Sequence, residues 1–537
     1  NQFHDIIPGS SIKEVYDDCR EEYAEAERVA SEAWEAAATA LTAGGAATAM
    51  TTTAVGTALT GGAEGMPLTA GASADAVERQ AYTVWNSAGW SRTEQVVLSG
   101  VEASAGVWED SEGTALAAQH NSDSGDWHVL VPEVPGLGQR TIYFRPGEEA
   151  ASSVAADIAS TATDETVSRV MDESALPTSE LTSATASGDP FRIGERELES
   201  PYYIVAWDAQ GRLIRIYDKT AQREVLAPGE QGNVLQVFED KPKSRHEAWD
   251  IDLFYQEKQR TVDELLEARV VACGPLYVAV SFVWTYMDSR IEQQMRLYAD
   301  DRRIDFVTRA DWQEKRQLLK VAFPVDIRAT EATYDIQFGN VRRPTHWNTS
   351  WDYARFESVG HQWADLSERG YGVSLLNDCK YGYDIKDHTM RLTLIKSAIV
   401  PDPTADLGEH VFTYALLPHR GDWLEGGAVP SAFALNQSLS VSRGDASELP
   451  EALFTVTGDA HVMIDAIKKS EDGTAVVLRL HEYGGSRGEV RIVSDYGIRA
   501  WQACDLLERP EGERRAEAEL RTPVKPYELL TFLIELA

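Results

Sequence analysis

Beyond Tyr82 the chain is written in short runs of β-branched and aromatic residues, and this pattern restricts the fold more than any other feature. Tyr82-Thr-Val-Trp85, Gln95-Val-Val-Leu98, Trp127-His-Val-Leu-Val131 and Thr141-Ile-Tyr-Phe144 are separated by Gly, Pro, Asn and Asp. Such punctuated runs predict a small all-β unit. From Tyr202-Tyr-Ile-Val-Ala-Trp207 through Leu276-Tyr-Val-Ala-Val-Ser-Phe-Val-Trp284 and Leu318-Leu-Lys-Val-Ala-Phe323, strand candidates follow one another without intervening helical patterns. A barrel or doubly wound sheet needs regular strand and helix alternation, so a large antiparallel sandwich is expected instead. The last hundred residues repeat the pattern on a smaller scale, with Val476-Val-Leu-Arg-Leu480, Glu489-Val-Arg-Ile-Val493 and Leu529-Leu-Thr-Phe-Leu-Ile534. No fixed-period repeat is present.

The first eighty residues differ. Ser11 and Glu14 have capping-box spacing, which predicts a helix start at Ser11. Ile12, Tyr16, Cys19, Tyr23, Ala26, Ala30 and Ala33 recur at three- and four-residue steps, a narrow apolar seam suited to other helices. The stretch that follows, about 43–75, is Gly, Ala and Thr and makes a poor helix, so the partners of this seam are expected upstream of Asn1. Residues 147–190 form an acidic Ala/Ser/Thr segment, read as an insertion or linker. The fold class expected is therefore mainly β: antiparallel sandwich domains preceded by a residual α-helix of a helical bundle. The division is 1–80, then 81–195, 196–425 and 426–537.

Charge narrows the partners. Fifty Lys and Arg against 86 Asp and Glu give a formal charge of −36, and residues 1–200 alone hold 33 acids and 10 bases. Phosphate backbones and anionic lipid are repelled by such a surface, so neither nucleic acid nor membrane is an expected partner. Cys19, Cys273, Cys379 and Cys504 have no CxxC spacing and read as buried free thiols. No basic and apolar leader precedes the helix, and a cytoplasmic setting is expected. A homo-oligomer stays open.

Several groups have the residue types that chemistry needs. His4-Asp5, ahead of the Pro8-Gly9 turn, can ligate a metal or bind a sugar hydroxyl, although such a pair alone is more often structural. Glu247-Ala-Trp-Asp250-Ile-Asp252 sets carboxylates around an indole, as sugar sites do, and strand alternation would put Asp250 and Asp252 on one face, although a structural or loop-anchoring role is expected ahead of catalysis. His346, Trp347, Asn348, Trp351 and Asp352, then His361, Trp363 and Asp365, form a polar set wrapped by aromatics. Buried scaffolding explains that set slightly better than a site does. Asn377 to Asp384 reads as a tight turn in which Cys379 has no evident base. Arg479, His481 and Glu482 read as cross-strand pairing. Asn348 and Asn436 match the glycosylation acceptor pattern, which is common by chance.

NQFHDIIPGSSIKEVYDD, WNSAGWSR, PGLGQRTIYF, EDKP with AWDID, YDIQFGNVRRPTHWNTSWDY, GVSLLNDCKYGYD, PDPTADLGEHVFTYALLPH and AIKKSEDGTAVVLRLHE together resemble glycoside hydrolase family 38 α-mannosidases. The resemblance implies a zinc-dependent retaining exo-α-mannosidase, in which two His and two Asp hold the metal and an Asp nucleophile forms the glycosyl-enzyme. It implies that His4 is the final zinc ligand and that Asp5 contacts the sugar. It also implies that the other ligands and the nucleophile lie in an N-terminal catalytic domain that this sequence does not contain. Zinc is then a cofactor of the parent enzyme that this chain should not retain, and the chain alone should be inactive on mannose-containing oligosaccharides. In the parent its work would be to buttress the catalytic barrel and supply rim loops, with 346–352 and 377–384 as candidates. The rival reading is a free-standing carbohydrate-binding or structural β-sandwich protein.

Overall fold

The structure, a computed structural model, describes residues 1–42, 79–147 and 189–537. The Ala/Gly/Thr-rich segment and the acidic insertion lie almost wholly outside the described residues. Helix α1 (Lys13–Thr42) is followed by strands, interrupted by the short helices α2 (Ser350–Ala354) and α3 (Ala428–Asn436). Strand pairs are antiparallel in every sheet. The expected mainly β, antiparallel sandwich class is therefore observed, with one long helix at the start.

Three apolar cores organise these sheets. The first lies between a four-stranded and a three-stranded sheet, around Val84, Val129, Ile142 and Phe144. Strand Ser440–Arg443 completes the four-stranded sheet by pairing with Gln80–Asn86, so the chain returns to its first β unit late. The second and largest core lies among five-, six- and nine-stranded sheets. Strand Ile304–Trp312 sits centrally in the nine-stranded sheet, in register with Gly408–Arg420 from Ile304 opposite Leu416 to Trp312 opposite Gly408. Its Phe306, Ala310 and Trp312 face inward and Arg309 and Asp311 outward, as the two-residue period of a half-buried strand dictates. The third core joins a three-stranded and a five-stranded sheet around Leu478, Ile492 and Phe532.

Strand Gln317–Pro324, in the six-stranded sheet, has both faces covered. Leu319, Val321 and Phe323 enter the large core, while Leu318 meets Phe238 and Tyr255 on the opposite face. Lys320 is on that opposite face too, with no exposed surface. It pairs with Glu357 and lies 3.9 Å from Asp384, which also holds Arg391 at 3.1 Å. Tyr255 donates to Glu357 at 2.6 Å. A cation buried this deeply is tolerated because carboxylates and hydrogen-bond partners replace its water.

The helix start departs from expectation. Helix α1 begins at Lys13, and the Ser11 amide donates to the Tyr16 hydroxyl at 2.8 Å rather than to Glu14. A reciprocal capping box forms instead at α2, between Thr349 and Asp352. Cys19 and Ala38 are the buried positions of α1, whereas Tyr23, Val29 and Trp34 of its apolar residues are exposed. All four cysteines are free, but Cys273 and Cys379 are exposed, contrary to the expectation of burial. No described helix is long and apolar enough to cross a membrane.

Truncation at the centre of the large core tests this packing. Phe306→Ala should lower unfolding free energy by about 3–5 kcal/mol, from lost transfer energy plus a cavity. Val411→Ala, at a position 66% exposed, should change it by no more than about 0.5 kcal/mol. Urea denaturation of both variants measures the difference.

Candidate functional site

His4 and Asp5 sit in a tight turn that α1 holds in place. The amides of Ile6 and Ile7 donate to the Phe3 carbonyl at 2.9 and 3.1 Å, and the Gly9 amide to the Ile6 carbonyl at 3.1 Å. Gly9 has φ +73°, a backbone conformation that costs a residue with a Cβ more than it costs glycine. The Ser10 hydroxyl donates to the Asp5 carbonyl at 3.2 Å. The Tyr16 hydroxyl lies 3.4 and 3.3 Å from the Asp5 and Ile6 carbonyls and accepts the Ser11 amide. These local bonds satisfy the turn's backbone and leave both side chains free, at 67% and 48% exposure, with His4 Nε2 3.5 Å from Asp5.

A second loop meets this turn. The Trp249 ring centroid lies 6.2 Å from that of His4, and its indole is 51% exposed. The segment carrying Trp249 is a series of turns, not the strand that sequence alternation implied, so Asp250 and Asp252 are not set side by side on a sheet face. The Trp249 and Asp250 amides both donate to the His246 carbonyl at 3.0 Å. Asp252 accepts the Lys243 amide at 3.1 Å, and Lys396 donates to the Asp250 carbonyl at 3.1 Å. Glu247 is ion-paired to Arg316, which holds its carboxyl below the usual range, and it also accepts the Ile399 amide at 3.3 Å. The Glu247 and Asp252 carboxylates thus anchor the loop, and Asp250 is held through its backbone. Beneath it, Tyr255 links the loop to the buried Lys320, Glu357 and Asp384 cluster.

The remaining groups divide. His346 lies 3.6 Å from Asp352, and Lys386 stands 4.6 Å above the Trp347 ring, with Trp351 76% exposed. Trp363 is buried and stacked on Trp423, and Asp365 is buried 2.8 Å from His419, so the polar set is split between a surface helix and a core. Asn377 caps its own turn by accepting the Lys380 amide at 2.6 Å, and its side-chain amide donates to the Tyr383 hydroxyl at 2.6 Å and to the His361 carbonyl at 2.8 Å. Although Cys379 is exposed as a residue, partial desolvation of its thiol and the neighbouring Asp378 push it up to about 12, which opposes a nucleophilic role. His481 pairs across the strands with Asp465 at 2.9 Å, and Glu482 receives the Gly484, Gly485 and Tyr527 amides. Asn436 donates to the Asn377 and Ala432 carbonyls at 2.9 Å.

Zinc sites use three or four protein ligands. No group of three or more His, Cys, Asp and Glu side chains converges among the described residues, so His4 and Asp5 do not form a zinc site by themselves.

A separate cleft of about 940 Å³ lies between α1, α3 and all three β units, lined by Trp34, Trp85, Phe433, Phe338, Asp335 and His481 among others. Asp335 accepts the Gln362 amide at 2.9 Å, yet burial pushes its carboxyl up to about 6.

The fold is a multi-sandwich β chain with one long N-terminal helix, and comparison fixes the family. Residues 198–404 match the glycosyl hydrolases family 38 C-terminal domain, and residues 461–532 match the family 38 C-terminal beta sandwich domain. Residues 1–41 match the alpha mannosidase middle domain. The chain belongs to glycoside hydrolase family 38. It is 35% identical to human alpha-mannosidase 2C1 over 64% of this chain and 34% of that protein. With alpha-mannosidase G of Dictyostelium discoideum it shares 36% over 55% of this chain and 28% of the relative. The chain thus spans about a third of the length of these curated relatives. The crystal structure of an alpha-mannosidase from Enterococcus faecalis V583 superposes with TM-score 0.62 at 14% identity, over 85% of this chain and 56% of that one, which shows a shared fold.

The raised Asp335 carboxyl predicts a pH effect. Because its folded pKa lies above the unfolded value of about 3.9, its contribution is fully present below that value and is lost as pH rises through about 6. Asp335→Asn, which mimics the neutral acid, should therefore stabilise the chain by about 1–3 kcal/mol near pH 8 and scarcely at all near pH 4. Thermal unfolding across that range measures the crossover.

Proposed function

We propose that this chain is the C-terminal portion of a zinc-dependent retaining α-mannosidase that removes terminal α-mannose from oligosaccharides. The observation that carries the reading is the His4-Asp5 turn, exposed and braced by Tyr16, with the Trp249 indole beside it in a chain of family 38. In this proposal His4 supplies one zinc ligand, and the others, with the nucleophile, belong to a catalytic domain outside these 537 residues. Zinc, when bound there, supplies a Lewis acid toward sugar hydroxyls. Asp5 accepts a hydrogen bond from a sugar hydroxyl, and the apolar face of Trp249 shields one side of the ring. The cytoplasmic setting is part of the same proposal.

Family membership favours this over a free-standing sandwich protein, and activity measurements separate the two. The chain with added zinc should release no phenol from an aryl α-mannoside above the buffer rate. Turnover by the chain alone that is abolished by His4→Ala would place the whole site within it and refute the proposal.

Extending the reading frame upstream to include the catalytic domain should give EDTA-sensitive hydrolysis. In that enzyme His4→Ala should remove activity, whereas Trp249→Ala should raise KM several-fold with a smaller change in kcat. An extended enzyme indifferent to His4→Ala would also refute it.

A further inference from the structure

A second cleft, of about 440 Å³, opens at the end of the six-stranded sheet. Its lining includes Lys241, Lys258, Arg260, Lys315 and Arg316, and Glu239 is the sole carboxylate among the lining residues. One tenth of the chain's 50 Lys and Arg thus face a single cleft, in a protein whose formal charge is −36. Chance distribution over an acidic surface does not favour such a concentration.

The local backbone explains how the cations meet. Strand Gln259–Thr261 pairs with Val234–Glu239, which puts Arg260 opposite Val237 and beside Glu239 on the adjoining strand. The turn after Trp312 brings Lys315 and Arg316 to the same edge. Arg316 adopts φ +56°, held by its amide on the Ser397 carbonyl at 2.6 Å and by the Asp240 amide on its own carbonyl at 2.8 Å.

The neighbouring acids neutralise the cleft only in part. Glu239 is ion-paired to both Lys241 and Lys258, and Glu247 to Arg316. Glu314 is buried and receives the Asp288 amide and the Ser289 hydroxyl, each at 2.9 Å. Arg260 and Lys315 are exposed and have no carboxylate within ion-pair distance among the described residues. At physiological salt the screening length is about 8 Å, so cations sharing one cleft govern the field inside it, while the acids of the distant surface are screened.

Neutral sugar fits this cleft poorly, because its one aromatic, Tyr286, is 8% exposed and its hydroxyl is spent on Gln317 at 3.0 Å. A compact dianion fits well. The Arg260 fork and the Lys315 ammonium offer charge-assisted donors of the kind that recognise phosphate. We propose that this cleft binds a phosphate group, carried by a phosphosugar or as free inorganic phosphate. The proposal does not depend on the mannosidase reading, since binding is measured without hydrolysis.

Titration calorimetry of the 537-residue chain at low salt tests it, with inorganic phosphate, mannose 6-phosphate and mannose as probes. Both anions should bind, mannose should not, and affinity should fall as salt is raised. Equal affinity for the two anions assigns the site to free phosphate, and tighter mannose 6-phosphate assigns it to a phosphosugar. The double variant Arg260→Ala with Lys315→Ala should lose about tenfold or more in affinity, and Arg260→Lys with Lys315→Arg should retain most of it. Both positions are exposed, so an unchanged unfolding midpoint should accompany the loss. Absence of heat with either anion, binding untouched by the double alanine variant, or mannose binding as tightly as its phosphate would overturn the proposal.

Discussion

The ammonium of Lys320 is the constraint around which the functional side of the molecule is arranged. Burying a lone cation costs several kcal/mol even after relaxation, so the strand that carries it can occupy the sheet only where carboxylates are delivered to it. Glu357 and Asp384 arrive from separate parts of the chain, and Tyr255 bridges both of them. Tyr255 in turn closes the segment that runs back through Asp252 to Trp249. The position of the indole beside His4 is thereby tied to a polar cluster in the interior. Burial holds the Glu357 carboxyl above its usual range in spite of the opposing pull of Lys320.

Strand content was legible because its signal is local. In Tyr277–Tyr286 the continuous run of β-branched and aromatic side chains read from the sequence is buried at most positions. Chain order within the sheets was not legible, since the partner of Gln80–Asn86 lies near residue 440 and nothing in either segment specifies the other. The α1 start was misplaced by two residues because a capping box is only a spacing. Tyr16 competed for the Ser11 amide, and a contact across a turn does not register in a four-residue motif.

The candidate site was half legible. His4 and Asp5 stand out by type and by family resemblance, and the AWDID segment stands out by composition, but their meeting is a tertiary fact. The loop-anchoring role favoured for the AWDID segment agrees with its bonds, but the shared strand face expected for Asp250 and Asp252 fails, because a period of two was assumed where the backbone turns. The basic cleft left no trace in the sequence. Its five cations come from three separated stretches, and a whole-chain charge of −36 conceals them.

The late return of Ser440–Arg443 to the first β unit has a consequence for biosynthesis. Thr83 hydrogen-bonds the Gly444 carbonyl across 361 positions of sequence, and the first core includes Leu439. At roughly 5–20 residues per second, a ribosome needs about 20–70 s to travel that distance. Throughout that interval the nascent sheet has an open edge at Gln80–Asn86, a template that any extended peptide can join. Arrival of the distant strand therefore removes an aggregation hazard as well as completing the sheet.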